Sequence, residues 1–484
     1  MRSVVTKKLA WLVYLVGLLF LMNWMWSGHQ GLSSYKVHGW NWYHYWIGSK
    51  YHQELGYFDI YEQTVAGWKE LGSNLGKVTS ARDQHTYKMT KLKDNPRYTR
   101  SEVWSDARWA EFKADLKKLR PRQNSKKWSG CIKDRGYNAS PAWNTPASWI
   151  TNALDVGNKQ HLRLAKAIDL IGILGIALLL PFAFGPTRAI LAIGLALGVA
   201  NNPTRFLGSF VQYDWIVLVF GSVTMIRWRR HGWGGFLLGA ATMLRIFPAV
   251  FFAAMVARGV LDLLVTRRLP PWMLRLSAGF GLALVLGFGL GAMGPRGVDS
   301  WGEWRDKIAI HTHYHQTGDG RVGLKHIFGS REGLKTTKVP RISERFKNLE
   351  SSKPVRLTLA ALLLGLLAAA AWNRDELDCF VLAVAAFFIL TVSSRYYWSA
   401  LALLPFLGIR RGDKTSLFLG SGMALFMLST YYLFCQPLGH TYIAWRTQNF
   451  FMLGAFTVGL SLLAWRGFAD PSYDPSNPTA HDAE

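Results

Sequence analysis

A cation and a carboxylate occur within apolar sequence, where ionisable side chains are costly and usually serve a function. Arg245 lies in the otherwise apolar stretch 237–250, and Asp214 lies near one end of the preceding apolar segment. Because a guanidinium fits two oxygens of a phosphate, these two residues predict a site for a phosphate-bearing substrate. The alternatives are an ion pair of Asp214 with Arg245 or Arg205, and extension of Arg245 towards lipid headgroups.

A group of histidines and cations follows residue 310. His311, His313 and His315 occupy alternate positions, and Arg321 and Lys325 come shortly after them. On an extended strand alternate side chains share one face, so the spacing predicts either substrate-binding residues or metal ligands. An ordinary polar loop is the third interpretation.

Arg395 and Tyr396 belong to a polar, aromatic cluster at residues 394–398. We expect them on the same side of the membrane as the histidines, where they either clamp a diphosphate or bind lipid headgroups. The formal net charge of the chain is +26. Much of this excess lies in polar segments and at helix ends, which favours anionic lipid headgroups or a phosphate-bearing substrate over nucleic acid as partners.

Apolar runs alternate with polar segments and predict an all-α, multi-pass protein of the cell membrane. About twelve runs are candidates for transmembrane helices, at residues 9–26, 167–184, 188–200, 208–226, 233–245, 247–265, 274–293, 355–372, 377–391, 396–409, 415–435 and 447–464. Arginine clusters in short loops mark the cytoplasmic side of a membrane protein. All of them lie on that side only if 233–265 is a hairpin that crosses the membrane twice, with a break near Pro248. Both termini are then cytoplasmic.

This threading also divides the chain into segments. It predicts an anchor at 1–26, an extracytoplasmic segment at 27–166, membrane helices at 167–293, a second extracytoplasmic segment at 294–354, membrane helices at 355–464 and a disordered cytoplasmic tail at 465–484. In the first outer segment, the aromatic-rich stretch 35–61 predicts a helix in the membrane interface. An amphipathic helix is expected from Trp104 to Leu119, and a loop at 121–146.

The aromatic-rich stretch contains Gly48, Gly56 and Tyr61 in the pattern Gly-x7-Gly-x4-Tyr. Residues 237–250 form a small-residue helix that ends in a basic residue and a proline. With a first transmembrane helix and a long outer loop, these features resemble polytopic GT-C glycosyltransferases, especially glycosyltransferase family 87. The resemblance implies a GT-C-like helix bundle that moves a sugar from a polyprenyl-phosphate-linked donor to an acceptor hydroxyl on the extracytoplasmic face. No cofactor and no required metal are expected.

One position departs from that family. About seven residues before the first glycine the family has an acidic residue that serves as the base, and here this position is Asn41, whose amide cannot accept a proton at neutral pH. We therefore expect Asp59 or His44 to supply the base. As substrate-binding residues we expect Arg245, Asp214, His311, His313, Arg321, Lys325, Arg395 and Tyr396, for the reasons given above. Two other classes fit the sequence: a non-catalytic structural subunit of a membrane complex, and a transporter of lipid-linked sugars.

Overall fold

The architecture is that of an all-α protein. A computed structural model describes residues 2–72, 78–93, 95–119, 129–199, 207–315, 318–330, 339–438 and 442–469. These residues are mostly helical, with two short pairs of antiparallel strands. The last helix, Tyr442–Ala469, continues past the predicted start of a disordered tail at 465, and the rest of that predicted tail lies outside the described residues.

The apolar runs coincide with helices. Their bounds are Arg2–Ser27, Lys159–Phe184, Pro186–Val199, Asp214–Arg227, His231–Leu244, Ala249–Thr266, Pro271–Ala292, Lys353–Ala371, Glu376–Leu390, the 3-10 helix Arg395–Phe406, Lys414–Thr430 with the π-helical turn Tyr431–Cys435, and Tyr442–Ala469. Within the described part of the chain, seven helices are long and apolar enough to cross a membrane. This supports a multi-pass membrane protein, while the count of about twelve crossings and the cytoplasmic termini stay predictions.

The predicted hairpin at 233–265 is interrupted where the sequence indicates. Helix His231–Leu244 ends at Arg245, whose backbone is extended. The next helix begins at Ala249, directly after Pro248. Proline lacks a backbone N–H and cannot continue a helix, which accounts for the break. Arg245 therefore lies at a helix end rather than within a helix.

Helices His231–Leu244 and Pro271–Ala292 pack closely through glycine. A Cβ built on Gly279 would lie only 1.9 Å from the carbonyl oxygen of Gly232 on the other helix. Such small residues allow helix backbones to approach each other in a membrane. The pair forms a rigid support directly before the Arg245 break.

The first polar segment forms a helical domain with its own aromatic core. Its elements are Gly39–Asn41, the π-helix Trp42–Ile47, Gly48–Lys50, His52–Leu55, Ile60–Glu70, Asp106–Leu119, Pro141–Ala153, and a hairpin of strands Ser80–Arg82 and Met89–Lys91. Trp42, Trp46 and Tyr51 are fully buried in this core. The density of aromatic residues at 35–61 thus serves internal packing, and a position at the membrane interface stays a prediction.

Part of the predicted loop at 121–146 is helical, so that expectation is wrong from residue 141 onward. Ser140 caps helix Pro141–Ala153 by accepting a hydrogen bond from the Trp143 backbone N–H at 3.2 Å. Pro141 follows at the first helical position, where a missing N–H costs nothing. This Ser-Pro start is a helix signal that the polar composition obscured.

The second polar segment contains helices Asp299–His315, Leu324–Ile327 and Ile342–Ser351, and strand Arg321–Val322, which pairs with Ser393–Ser394. The expected extended strand at the histidines is therefore wrong. On a helix, residues two positions apart are rotated by about 200°, so His311 and His313 face opposite directions. Asp299 in the first turn stabilises the helix start through the macrodipole.

Candidate functional site

A polar cavity of about 400 Å³ lies where the two polar segments meet the apolar helices. It unites residues that are far apart in sequence. Five predicted site residues line it: His44, Arg245, His311, Arg321 and Tyr396. Asn41, at the position where the resembled family has an acid, also lines it.

The loop at 207–213 holds the inner end of this cavity. Asn41 Oδ1 accepts one backbone N–H of the loop at 2.6 Å, and Asp169 accepts two others at 2.7 and 3.2 Å. Within the loop, Val211 has a φ of 42°, a strained left-handed conformation for a β-branched residue. Its carbonyl accepts a hydrogen bond from Arg245 Nη2 at 3.4 Å. The strained loop thus positions the guanidinium.

Arg245 and Asp214 form an enclosed ion pair. Arg245 Nη2 lies 3.6 Å from Asp214 Oδ1, and their side chains are only 7% and 13% exposed. The guanidinium also lies over the rings of Tyr45 and Trp143, at 5.6 and 5.8 Å from their centroids. The ion-pair interpretation is therefore correct, and Arg245 does not extend towards lipid headgroups. Its role in binding a phosphate stays a prediction.

Hydrogen bonds to both ring nitrogens hold His44 in the wall of the cavity. Nδ1 lies 2.8 Å from the Trp40 carbonyl oxygen, which can only accept, so Nδ1 carries the proton. Nε2 then accepts a hydrogen bond from the Tyr61 hydroxyl at 2.7 Å, and that hydroxyl oxygen accepts the Gly136 N–H at 2.8 Å. Burial lowers the pKa of His44 and keeps the ring neutral. His44 thus positions the 134–136 backbone, and it has no lone pair free for an acceptor hydroxyl.

Asp134 is a carboxylate in the cavity that sequence reasoning missed. Its Oδ2 accepts a hydrogen bond from Trp40 Nε1 at 2.7 Å. No residue that the structure describes donates a hydrogen bond to its Oδ1. The side chain lines the same cavity as Arg245 and Asn41. Asp134 therefore has the chemistry and the location of a general base.

Three cationic or neutral basic groups face Asp134 across the outer end of the cavity. Arg135 and Arg321 line it together with His311. Burial, together with the nearby charge of Arg135, lowers the pKa of Arg321 to about 9. His311 Nδ1 lies 3.2 Å from the Tyr87 hydroxyl, and burial lowers the pKa of this histidine well below its usual value. This part of the cavity therefore carries two arginine side chains beside a neutral histidine.

Asp59, the other predicted base, does not line the cavity. Its side chain is 44% exposed and lies 3.8 Å from His85 Nε2. It occupies the position before helix Ile60–Glu70 without capping it through its side chain. The structure therefore places Asp59 at the surface, in a turn.

Four predicted substrate-binding residues also lie outside the cavity wall. Asp214 is the ion-pair partner of Arg245 but does not line the cavity. His313 is exposed and its ring stacks on Phe346, with centroids 4.9 Å apart. Lys325 is half-buried in the short helix Leu324–Ile327, where burial lowers its pKa. Arg395 begins the 3-10 helix next to Tyr396 but is not part of the cavity wall.

The structure also contains an apolar groove of about 630 Å³. It is lined mainly by alanine and leucine from three helices: Ala249–Thr266, Lys353–Ala371 and Glu376–Leu390. Residues that line the two spaces lie close together in the chain at two places. Phe247 and Thr391 line the polar cavity, whereas Ala249, two positions after Phe247, and Leu390, directly before Thr391, line the groove. A ligand with a polar head and an apolar tail fits this arrangement.

Among the residues that the structure describes, no group of three or more histidine, cysteine, aspartate or glutamate side chains is placed to hold a metal ion. The comparisons with known proteins give no relative. No protein-family model, no curated protein and no solved structure matches this chain.

Proposed function

We propose that the protein is a membrane glycosyltransferase that moves a sugar from a polyprenyl-phosphate-linked donor to an acceptor hydroxyl on the extracytoplasmic face. The observation that carries this proposal is a polar cavity lined by several arginines and an apolar groove whose lining residues are close to those of the cavity in the chain. In this proposal the two spaces are continuous. A lipid-linked sugar needs cations for its phosphate and apolar surface for its isoprenoid chain. The phosphate joins these two parts, so it would lie where the two spaces meet, close to Arg245.

Asp134 is the base in this proposal. Its carboxylate accepts the proton of the acceptor hydroxyl, whose oxygen forms the new bond to the anomeric carbon. The bond from that carbon to the phosphate oxygen breaks, and its electron pair leaves with the phosphate. Trp40 orients the carboxylate through the hydrogen bond to Oδ2. The cations that line the cavity stabilise the charge that develops on the leaving phosphate.

Asp134 fits this role better than the two bases expected from sequence. Asp59 lies outside the cavity, and both ring nitrogens of His44 are already hydrogen-bonded within the protein. Asn41 lines the same cavity as Asp134, so a base supplied from residue 134 would serve the same reaction space. The amide at Asn41 is therefore compatible with catalysis.

Turnover by the purified protein tests the proposal. The protein in lipid nanodiscs is incubated with a panel of polyprenyl-phosphate sugars and simple glycoside acceptors, and release of polyprenyl phosphate is measured by mass spectrometry. We expect turnover with at least one donor. Asp134→Asn should lower the rate by about 10²–10⁴-fold, because a general base typically contributes that much. The matched control, Asp59→Asn, should leave the rate unchanged.

Two other outcomes would refute enzymatic activity and identify a rival function. If the donors are not consumed and the protein co-purifies in fixed stoichiometry with other membrane proteins, it is a structural subunit. If lipid-linked sugars cross a vesicle bilayer that contains the protein without being consumed, it is a transporter.

A further inference from the structure

Arg135 and Arg321 place two guanidinium groups side by side at the outer end of the polar cavity. A Cβ built on Gly318 would lie 3.0 Å from Arg135 Nη2 and 3.0 Å from Arg321 Nε. The two nitrogen atoms are therefore separated by at most twice that distance. Like charges this close repel each other unless an anion lies between or beside them.

The N–H groups of this arginine pair are not all used by the protein. Arg321 Nη1 donates to the Ser394 hydroxyl at 2.5 Å. In contrast, Arg321 Nε and Arg135 Nη1 are buried and have no hydrogen-bond partner among the described residues. Buried donors on charged groups are almost always satisfied, so a ligand atom is the natural partner.

The nearest carboxylates, Asp134 and Asp319, raise the pKa of both arginines through their charges, but their direct contacts are with other residues. Asp134 accepts its hydrogen bond from Trp40, and Asp319 Oδ1 forms an ion pair with Arg345 Nη1 at 2.9 Å. Within the described ranges, no ion pair joins either arginine of the pair to a carboxylate. Arg245 differs in this respect, because Asp214 balances its charge.

Two buried basic groups lie near the arginine pair, and the pKa of one of them, His311, responds to the charges of the pair. Burial lowers the pKa of His311, and the charges of Arg135 and Arg321 lower it further. Lys307 lies behind this part of the wall, where its Nζ donates to Gln84 Oε1 at 2.6 Å, and burial lowers its pKa to about 7. His311 thus stays neutral beside the two arginines.

The arginine pair is also held in place by its backbone. Arg321 belongs to a strand that pairs with Ser394, and its carbonyl accepts a hydrogen bond from Asn449 Nδ2 at 2.9 Å. The Arg135 carbonyl accepts a hydrogen bond from the Tyr87 hydroxyl at 2.8 Å. A preorganised pair of cations binds an anion without further ordering.

We propose that Arg135 and Arg321 form a second oxyanion subsite, separate from the Arg245–Asp214 pair, which binds a phosphate or carboxylate group of a substrate. Two converging guanidinium groups suit the oxygens of such a group. This inference deepens the proposed function, because the substrates would together bring two anionic groups into the cavity. The second group belongs either to a diphosphate donor or to an anionic acceptor.

Binding experiments without catalysis distinguish these two sources. Isothermal titration calorimetry on the detergent-solubilised protein measures the affinity for farnesyl phosphate, for farnesyl diphosphate, and for inorganic phosphate in the presence of saturating farnesyl phosphate. If the donor supplies the second group, farnesyl diphosphate should bind at least about 10-fold more tightly than farnesyl phosphate, as expected for one extra charge-assisted contact. If the acceptor supplies it, inorganic phosphate should bind beside farnesyl phosphate.

In either case Arg135→Gln and Arg321→Gln should weaken the second interaction by about 10- to 100-fold. Arg100→Gln is the control, since Arg100 lies in the same polar segment but does not line the cavity. The proposal is wrong if the two variants remain folded by circular dichroism and bind every probe as the wild type does. It is also wrong, without any variant, if wild-type protein neither prefers the diphosphate nor binds inorganic phosphate beside farnesyl phosphate. Phosphate binding that depends on Arg135, without binding of farnesyl phosphate, would support the subsite and refute the lipid-linked donor.

Discussion

The buried pair of Arg245 and Asp214 gives a sharp prediction about stability. In Asp214→Asn the side chain keeps its shape, and its amide oxygen can still accept the Trp215 backbone N–H, which Asp214 Oδ1 accepts at 2.8 Å. What disappears is the negative charge 3.6 Å from the guanidinium. The change in the free energy of unfolding of this variant therefore measures the contribution of the ion pair.

The magnitude follows from the distance and the environment. Two unit charges 3.6 Å apart attract each other by about 4–5 kcal/mol at an effective dielectric constant of about 20. Removing one partner of a buried pair commonly costs about 3–5 kcal/mol, because the remaining charge stays buried without compensation. Both side chains are largely enclosed, at 7% and 13% exposure, so screening by solvent is weak. We expect Asp214→Asn to lower the free energy of unfolding by about 3–5 kcal/mol.

The measurement is reversible unfolding in mixed micelles, followed by tryptophan fluorescence. Asp106→Asn is the matched control, because Asp106 and Arg100 form a shorter contact of 2.6 Å but the Asp106 side chain is 95% exposed. Exposed pairs contribute little and an acidic residue in the first turn of a helix contributes at most about 1 kcal/mol, so this control should lose far less stability than Asp214→Asn. The double variant Asp214→Asn/Arg245→Met should lose less than the sum of the two single variants, since both act on one interaction. If Asp214→Asn is as stable as Asp106→Asn, the pair is hydrated and the reasoning about enclosure is wrong.

Three further predictions concern packing, polar contacts and pH. Gly279→Ala should lower the free energy of unfolding by about 1–3 kcal/mol through overpacking against Gly232, whereas Gly281→Ala, which meets no atom within 4 Å, should not; equal stabilities would contradict the packing. Asn41→Ala should cost about 1–3 kcal/mol in the same assay, because the buried Phe210 N–H loses its acceptor. Lys307 has a folded-state pKa of about 7, below its ordinary value of 10.5, so the folded state binds fewer protons between these values and stability should rise with pH across that window. Lys307→Met should remove this rise, and an unchanged pH profile would place the titration elsewhere.

The helices could be predicted from sequence because their signals are local. Apolar runs fix the helix positions, and Pro248 marks the break after Arg245. The prediction of an extended strand at the histidines was wrong because it rested on too short a stretch of sequence. Alternation of polar residues fits one face of a strand, but the same residues continue a helix that begins at Asp299, and only the longer range reveals that period.

The cavity could be predicted only in part, because long-range contacts create it. Trp40 contacts Asp134, and Arg321 pairs with Ser394, across more than seventy positions in each case. Asp134 and Arg135 lie in a stretch that composition marks as a loop, and a loop gives no periodic signal for side-chain direction. Gly136 follows them directly and has a φ of 75°. A glycine at this position is the local sign of a turn with a defined conformation.

The different surroundings of the three arginines explain why sequence reasoning emphasised Arg245. A cation within apolar sequence indicates a functional site because its burial costs free energy. For the same reason the folded protein must provide a counter-charge for it. Asp214 does so, and this leaves less positive charge for a ligand. Excess charge persists more readily at a polar cavity, where solvent or a ligand compensates it. Arg135 and Arg321 occupy such a position with buried N–H groups that no described residue satisfies. In this membrane protein, the cation within the apolar sequence indicates the neighbourhood of the site. The two arginines that line the polar cavity with unsatisfied N–H groups are the stronger candidates for binding the anion.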